Sequence, residues 1–338
     1  MTIIWIIVFT VALALMIKSA DWLLEKSEKI GLALGISPFI VGVTIVGAGT
    51  SFPELISGLM AVWQGATEIV VANAIGSNVA NILLVVGLAA VIGKKIIITK
   101  NLINLDLPLL SIATVLVLGV TIDKQVTLIE AIILLIAYVV YLFYTMQDKE
   151  TKDAEIEKQE DLPDILPTAL ITKQDKKIAK KNIGKGERPK IVGIDLLMLA
   201  AGIIGLFLGS KYLIQSVVEL ADIFRISAGL IAITAVAIGT SLPELLVSVK
   251  AAKQGKAEIA IGNIFGSNVF NLLVVIGIPG LITTLQIDAN TFLIGLPTML
   301  LATILFVISS MSLKIYIWEG MMFLLLYIVF IGKLFGLF

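Results

Sequence analysis

The stretch Gly49-Thr50-Ser51-Phe52-Pro53-Glu54-Leu55 returns further along the chain as Gly239-Thr240-Ser241-Leu242-Pro243-Glu244-Leu245. A second polar phrase, NAIGSNVAN at residues 73–81, returns as NIFGSNVFN at residues 263–271. The offset is 190 residues for both phrases, and residues 36–87 align with their partners without a gap. A constant offset of this kind indicates that one structural unit has been duplicated.

The composition places the duplicated unit in a membrane protein. Of the 338 residues, 58% are hydrophobic and only 15% are charged, whereas a soluble domain holds about 25% charged residues. The apolar runs are long and lack alternating polarity, which favours transmembrane helices over barrel strands. The chain has no Cys and no His, so disulfides, thiolate metal sites and histidine metal sites are excluded.

Hydropathy predicts ten transmembrane helices in two sets of five. The first set covers residues 3–24, 38–62, 69–92, 103–121 and 126–146, and the second set covers residues 192–216, 228–252, 259–283, 291–311 and 316–335. Because five is odd, the second set enters the membrane in the opposite direction from the first. The predicted fold is therefore an all-α integral membrane protein built from two inverted-topology five-helix repeats.

The chain divides into two halves on either side of its one long polar stretch. Residues 1–146 form the N-terminal five-helix half, and residues 191–338 form the C-terminal half. The intervening residues 147–190 are acidic first and basic later, a composition typical of a flexible, solvated linker. Each half then carries one copy of the repeated phrases.

The distribution of Lys and Arg predicts how the helices are oriented. With the N-terminus outside, the inside connections carry Lys26, Lys29, Lys94, Lys95, Lys100, the basic part of the linker, Lys250, Lys253, Lys256 and Lys314. The outside connections and the C-terminal end carry Lys124, Arg225 and Lys333. The positive-inside rule therefore places both termini outside the cell membrane and the 147–190 linker in the cytoplasm.

Each copy of the first phrase breaks its helix beside a carboxylate. Pro53 has no amide hydrogen and clashes with the carbonyl of Gly49, so the second span breaks there and frees backbone carbonyls. Irregular backbone is tolerated at membrane depth only where it lines a cavity, and acids buried there are functional by default. Pairs four residues apart share a helix face, and the predicted pairs are Thr50 with Glu54, Ser77 with Asn81, Thr240 with Glu244, and Ser267 with Asn271.

These side chains and the freed carbonyls offer oxygen ligands only. Oxygen ligands suit hard cations such as Ca²⁺ and Na⁺ and disfavour Zn²⁺ and copper. The two glutamates carry two negative charges, which one Ca²⁺ neutralises, and several Na⁺ ions can use the same oxygens. A purely structural alternative, in which Pro and Gly kink the helices and Ser and Thr join them, explains the hydroxyls but not two buried acids.

The repeated phrases resemble the alpha-repeats of the cation/calcium exchanger superfamily, in particular its prokaryotic sodium/calcium exchangers. The resemblance covers nearly the whole chain, with one alpha-repeat at about residues 36–88 and the other at about residues 226–278. It implies antiport of Na⁺ against Ca²⁺ by alternating access, with an electrogenic stoichiometry of usually three to one. It also implies that Glu54 and Glu244 are the central Ca²⁺ ligands.

The same resemblance implies the roles of the surrounding oxygens. The carbonyls of Thr50 and Thr240 would assist on Ca²⁺, and those of Gly47 and Ala237 would bind Na⁺. The Na⁺ sites would be completed by Thr50, Ser51, Ser77, Thr240, Ser241 and Ser267, with Asn81 and Asn271 flanking the centre. Potassium-dependent relatives carry an Asp tied to K⁺ where this chain has Asn271, so Asn271 favours K⁺-independent exchange.

Three other functions compete with this interpretation. A proton/calcium antiporter on the same fold would load protons on the buried glutamates. A cation channel usually places its filter on an axis between subunits, whereas the repeat here lies within one chain. An enzyme is not expected, because the chain lacks Cys and His and the glutamates have no water-activating partner. No covalent cofactor and no nucleic-acid partner are expected, and the expected partners are Ca²⁺, Na⁺ and the lipid bilayer.

Overall fold

Helices dominate the architecture. The computed structural model describes residues 2–63, 65–93, 95–97, 100–160, 189–223, 241–334 and 336–337. The first half contains α1 (Thr2–Leu34), α2, α3 (Phe52–Trp63), α4, α5 (Lys100–Val120) and α6 (Leu128–Glu160). Two of these helices contain π-helical segments: α2 consists of Pro38–Val41, the π-helical Gly42–Val46 and Gly47–Thr50, and α4 consists of Glu68–Val79, the π-helical Ala80–Val86 and Gly87–Gly93.

The second half follows the same order. It contains α7 (Gly193–Ile223), α8 (Leu242–Lys253), α9, α10 and α11 (Ile317–Leu334). In α9, Ala257–Phe270 leads into the π-helical Asn271–Val275 and then Gly277–Gly280, and in α10 the π-helical Thr291–Gly295 precedes Leu296–Ser310. The π-helical segments of α4 and α9 begin at nearly equivalent positions of the repeat, so the duplication extends to this local irregularity.

The helices have the length and composition of membrane spans. Within the described ranges, seven helices are long and apolar enough to cross a membrane, or eight if the bent pair α2–α3 counts as one span. The apolar part of α5, Leu107–Val120, is shorter. The predicted span 228–252 is described only from residue 241 onward. The prediction of a helical membrane protein is confirmed, whereas the ten-helix inverted arrangement stays a prediction.

Two short antiparallel pairings join the halves and correct the expectation that all regular structure is helical. The strand β1 (Lys95–Ile97) pairs with β4 (Lys314–Tyr316), and β2 (Gln125–Val126) pairs with β3 (Leu285–Gln286). Each pairing links a connection of the first half to a connection of the second half. Strands of two or three residues are too short to leave a periodic pattern in the sequence, which is why they were not predicted.

Two helices occupy the centre of the molecule. The most apolar window of α9 is entirely buried and that of α4 is 72% buried, whereas the windows of α1, α6 and α11 are only 22%, 22% and 28% buried. The helices α4 and α9 are apolar over most of their length, and the polar side chains of their repeated phrases are largely buried inside the protein. They are the helices that carry the second repeated phrase, so that phrase lies in the protein core.

The helix α1 lies against α7 along much of its length. Glycines on α7 permit this, because a Cβ atom at Gly202 would lie only 3.1 Å from the backbone of Ser19 and of Leu23. An ion pair between Lys29 and Asp195 (2.6 Å) holds α1 to α7. Asp21 pairs with Lys250 of α8 (2.6 Å), and Glu28 pairs with Lys256 in the α8–α9 connection (2.5 Å). The pair α1–α7 is thereby fixed beside the helices of the second alpha-repeat.

The predicted linker is partly helical. The helix α6 extends beyond residue 146 as far as Glu160, although residues 147–190 were predicted to be a flexible connection. The rest of this segment, residues 161–188, lies outside the described residues.

Candidate ion-binding site

The predicted helix break lies between α2 and α3, whose axes meet at 44°. Ser51 stands at the bend with φ −88° and ψ 3°, and its equivalent Ser241 precedes α8 with φ −93° and ψ 8°. Pro53 follows in the first turn of α3, where its missing N–H removes no helical hydrogen bond. The amide of Ser51 donates to the Gly47 carbonyl at 3.1 Å. The two halves thus share one local geometry at this position.

One buried carboxylate follows each of these positions. Glu54 in α3 and Glu244 in α8 lie in the first helical turn and are each 1% exposed. Ser77 Oγ donates to Glu54 Oε1 at 3.5 Å, and Ser51 Oγ donates to Glu244 Oε1 at 3.1 Å. Among the described residues, the second carboxylate oxygen, Oε2, has no hydrogen-bond partner in either glutamate. Because a buried charge without a partner is costly, each carboxylate needs a cation or a proton.

A cluster of hydroxyl and carbonyl oxygens joins α2 to α9. The hydroxyls of Thr50 and Ser267 lie 3.1 Å apart, and Ser267 Oγ donates to the Gly47 carbonyl at 3.2 Å. Thr50 Oγ1 also donates to Asn263 Oδ1 at 3.0 Å. The sequence predicts that Thr50 shares a helix face with Glu54. In the structure the Thr50 hydroxyl lies 3.3 Å from the Gly47 carbonyl of its own half and also contacts Ser267 and Asn263 of the second half, because α2 and α9 touch here.

Two glycines bring the backbones of α2 and α9 into contact at this cluster. A Cβ atom at Gly47 would lie 2.9 Å from the backbone of Gly266. A Cβ atom at Gly266 would collide with the Val43 carbonyl. Only glycine allows such an approach, and the approach is what places the Gly47 carbonyl within reach of the Ser267 hydroxyl.

Two asparagines stand where the central helices change from α-helical to π-helical geometry. Asn81 in α4 and Asn271 in α9 are both fully buried, and no described residue forms a hydrogen bond with the amide nitrogen or amide oxygen of either side chain. The hydroxyl of Ser241 is also buried and has no partner in the described part of the chain. Buried polar atoms are normally paired, and π-helical segments are frequent at functional sites. These atoms are therefore available to a ligand.

The predicted ligands divide into two groups. Two of them, Ala237 and Thr240, lie outside the described residues. Every other predicted ligand is buried, and the set comprises Gly47, Thr50, Ser51, Glu54, Ser77, Asn81, Ser241, Glu244, Ser267 and Asn271. Hydrogen bonds connect Glu54 with Ser77, Glu244 with Ser51, and Thr50 with Ser267. The side chains of Asn81, Ser241 and Asn271 form no hydrogen bond with any described residue.

Some buried polar residues near the site were not predicted. Asn263 Nδ2 donates to Ser248 Oγ at 2.9 Å and to the Glu244 carbonyl at 3.4 Å, so Asn263 bridges Thr50 and the second carboxylate helix. Asn78 Nδ2 donates to the Asn268 carbonyl at 3.0 Å. The signal was present in the sequence, because these asparagines belong to the repeated phrase NxxGSNxxN.

The chemistry of the site is that of oxygen ligands around two acids. The described part of the chain holds no cluster of three or more His, Cys, Asp or Glu side chains able to bind a metal. The two carboxylates are instead supplemented by hydroxyls, amides and the Gly47 carbonyl. Such a set fits hard cations like Ca²⁺ and Na⁺, which accept neutral oxygens as readily as carboxylates.

Comparison with known proteins places this arrangement in a family. A sequence model described as sodium/calcium exchanger protein matches residues 4–147 and 194–335. The chain belongs to that family. The inner membrane protein YrbG of Escherichia coli (strain K12) is 32% identical over 88% of this chain and 85% of its own length. The sodium/calcium exchanger MaX1 of Methanosarcina acetivorans is 28% identical over 97% of this chain and 98% of its own.

The fold is shared with solved structures of the family. The sodium-calcium exchanger NCX_Mj, soaked with zero Na⁺ and Ca²⁺, matches with a TM-score of 0.77 and 28% identity, covering 99% of this chain and 100% of that chain. The same exchanger soaked with 100 mM Na⁺ and 10 mM Sr²⁺ also gives a TM-score of 0.77. Family membership and fold identify a helical membrane protein of the cation/Ca²⁺ exchanger class.

Proposed function

We propose that this protein is an electrogenic, K⁺-independent antiporter that exchanges Na⁺ for Ca²⁺ by alternating access. The proposal rests on Glu54 and Glu244, since each half of the chain contributes one of these buried acids. In each acid, one carboxylate oxygen has no hydrogen-bond partner among the described residues. The first half reaches the acid of the second half directly, because Ser51 donates a hydrogen bond to Glu244. One Ca²⁺ compensates both charges, and Na⁺ ions compete for the same oxygens. Exchange follows, because the binding of either ion compensates the two negative charges and displaces the other ion from the same oxygens.

The proposed ligand roles are those that the resemblance to the exchanger family implies. Glu54 and Glu244 bind Ca²⁺ together, assisted by the carbonyls of Thr50 and Thr240. The Na⁺ sites use the hydroxyl and carbonyl oxygens around the two acids, with Asn81 and Asn271 at their border. Those oxygens belong to Thr50, Ser51, Ser77, Thr240, Ser241 and Ser267 and to the backbone at Gly47 and Ala237. The hydroxyls that already contact Glu54, Glu244 and Gly47 support this assignment.

The strand pairings support the ten-helix count. Six predicted spans, the fourth to the ninth, separate β1 from β4, and four, the fifth to the eighth, separate β2 from β3. Paired strands lie on one side of the membrane, so an even number of spans must separate them. Both numbers are even only if residues 228–252 supply a span. Two five-helix repeats of opposite orientation follow, and the Lys distribution then places both termini outside and the 147–190 linker in the cytoplasm.

The main alternative is proton/calcium exchange at the same two acids. A buried carboxylate with an unpaired oxygen can bind a proton as well as a cation, so Glu54 and Glu244 alone do not separate the two functions. The surrounding oxygens favour Na⁺, because hydroxyl and carbonyl ligands such as Thr50, Ser267 and Gly47 coordinate a metal ion but are not needed to hold a proton. We propose no enzymatic activity for this protein.

Flux through liposomes tests the proposal. The purified protein is reconstituted, and uptake of ⁴⁵Ca²⁺ is measured while gradients of Na⁺, H⁺ and K⁺ are imposed one at a time, with protein-free liposomes as the control. An outward Na⁺ gradient at fixed pH should drive uptake, and K⁺ should have no effect. Uptake driven only by a pH gradient would favour the proton alternative, and uptake without any counter-ion would indicate a channel.

The same liposomes test electrogenicity. Three Na⁺ against one Ca²⁺ moves one net charge per cycle, which couples to voltage at about 2.3 kcal/mol per 100 mV. A potential clamped with K⁺ and valinomycin should therefore change the uptake rate in a direction set by its sign. Uptake that is insensitive to voltage would show an electroneutral cycle.

A further inference from the structure

Two asparagines at equivalent positions of the repeat meet in the core. Asn78 on α4 and Asn268 on α9 are separated by the repeat offset of 190 residues. Both are buried, at 1% and 0% exposed, and Asn78 Nδ2 donates to the Asn268 carbonyl at 3.0 Å. Because Asn78 and Asn268 are equivalent positions of the repeat, their contact lies close to the axis that relates the two halves.

The helices that carry these asparagines cross in a reciprocal way. The α-helical start of α4, Glu68–Val79, contacts the π-helical segment of α9, and the α-helical start of α9, Ala257–Phe270, contacts the π-helical segment of α4. The crossing lies beside the ion site, because Ser77 and Ser267 immediately precede the two asparagines. The position of one helix across the other therefore sets where Ser77 lies against Glu54 and where Ser267 lies against Thr50.

The contact between the two asparagines is nevertheless one-sided. Asn268 Nδ2 does not donate the reciprocal hydrogen bond to the Asn78 carbonyl. Within the described part of the chain, both polar atoms of the Asn268 side chain are buried and have no hydrogen-bond partner. The same asymmetry occurs at the acids, where Ser51 contacts Glu244 while the equivalent Ser241 has no partner. An unpaired buried amide destabilises the state that contains it, so the Asn268 side chain lowers the stability of this state.

We propose that Asn78 and Asn268 are positioning residues that exchange roles during transport. In the state described here Asn78 donates to the Asn268 carbonyl, and in the oppositely facing state Asn268 donates to the Asn78 carbonyl. Two inverted repeats interconvert by exchanging their conformations, so each bond formed by one half in one state has its counterpart in the other. The proposal rests on the proposed antiport, since it requires two oppositely facing states.

Each of the two oppositely facing states contains one of the two asparagine hydrogen bonds. The bonds therefore stabilise both states to a similar extent and leave their populations balanced. Removal of one donor disfavours the state that uses it, and a typical net hydrogen bond corresponds to a change in population of about fivefold. Removal of both donors disfavours both states equally. Asn78→Leu and Asn268→Leu should thus shift the populations in opposite directions, and the double variant should return close to the original balance.

The absence of native cysteine makes the populations measurable. Gly58 and Ser248 are equivalent in the repeat and lie one helical turn beyond Glu54 and Glu244, toward opposite sides of the membrane in the proposed topology. A Cβ atom at Gly58 meets only ordinary contacts at 3.5 Å, so a cysteine fits. The ratio of thiol labelling at Gly58→Cys to that at Ser248→Cys, with a membrane-impermeant maleimide, reports which side is open.

The reporter ratio is measured in full-length protein in liposomes, alone and with each asparagine variant, and Na⁺-driven ⁴⁵Ca²⁺ uptake is measured in parallel. We expect Asn78→Leu and Asn268→Leu to move the ratio about fivefold in opposite directions and to slow uptake, and the double variant to recover both to within about twofold. Asn290→Leu, an exposed position outside α4 and α9, is the control and should match the parent.

Asn268→Leu is the decisive variant. Its side chain has no hydrogen bond in the described state, so the substitution leaves that state able to fold. An unchanged ratio and unchanged uptake in Asn268→Leu would overturn the proposal, as would a shift in the same direction by both single variants or an additive loss in the double variant. Absence of Na⁺-driven uptake in the parent protein would instead contradict the antiport itself, so the two failures are distinguishable.

Discussion

The Ser51 hydroxyl, in the first half of the chain, donates a hydrogen bond of 3.1 Å to the Glu244 carboxylate in the second half. The bend between α2 and α3 is thereby tied directly to the acid of α8. The two repeated phrases contact each other, because Ser51 of the first half donates to Glu244 and Thr50 of the first half contacts Ser267 and Asn263 of the second half. These contacts make the site sensitive to small changes in how the halves are arranged.

Replacing Ser51 tests the importance of that contact. Ser51→Ala removes the donor that orients Glu244 and one candidate Na⁺ ligand, and hydrogen bonds to charged groups contribute about 1.5–3 kcal/mol. We expect equilibrium binding of ⁴⁵Ca²⁺ to the purified protein to weaken by about tenfold or more. Ser57→Ala, an exposed position on the same helix α3, should bind like the parent. Equal affinity in Ser51→Ala and Ser57→Ala would contradict the role assigned to Ser51.

The contact between α2 and α9 predicts an intolerance to side chains at Gly266. Gly266→Ala places a methyl group against the Val43 carbonyl, and overpacking of this kind costs about 1–3 kcal/mol. We expect a lower melting temperature in detergent together with weaker Na⁺ binding, because α2 must move away from Ser267. Gly119→Ala on α5, where a Cβ meets nothing within 4 Å, should be neutral or stabilising. A Gly266→Ala protein as stable as Gly119→Ala would refute the close contact.

The proposed topology predicts which connections share a side. Lys124→Cys and Thr283→Cys should be labelled from outside by an impermeant thiol reagent, and Gln254→Cys and Ser312→Cys only from the cytoplasm. All four positions are exposed, and the chain has no other cysteine to interfere. Intact cells and permeabilised cells provide the comparison. Labelling of Thr283→Cys and Ser312→Cys from the same side would rule out the inverted arrangement.

Asn271 predicts the effect of a third acid in the pocket. Its amide atoms are buried and unpaired, so Asn271→Asp adds a carboxylate without removing a hydrogen bond. We expect altered affinity for Ca²⁺ or a new dependence on K⁺, with folding retained. Ion titrations followed by ⁴⁵Ca²⁺ uptake check this, and Asn290→Asp at an exposed position serves as the control. Titrations identical to those of the parent would place Asn271 away from the ions.

The sequence was sufficient to predict the features that depend on local chemistry. Pro53 and its neighbouring glycines predicted the bend at Ser51, and the apolar context of Glu54 and Glu244 predicted that both acids are buried. These features follow from a few residues each, so no knowledge of the packing was needed.

The features that were missed depend on packing between the halves. The Thr50 hydroxyl contacts Ser267 and Asn263 because the backbones of α2 and α9 touch, and the spacing within one half carries no information about that contact. The π-helical segments and the short strand pairings have no distinct sequence pattern. Asn263 was available as a repeated residue, but its role as a bridge to Glu244 appears only once α8 and α9 are placed side by side.

The central claim is that Glu54 and Glu244 together bind Ca²⁺, and calorimetric titration of purified protein tests it most directly. Glu54→Gln and Glu244→Gln remove one charge each without changing shape, and Glu25→Gln, whose side chain is 65% exposed on α1, is the matched control. If the two acids bind Ca²⁺ jointly, both site variants will retain the helical circular dichroism and melting of the parent but show no heat of Ca²⁺ binding, whereas Glu25→Gln will bind normally. Normal Ca²⁺ binding in both site variants would show that the two acids are not the Ca²⁺ ligands.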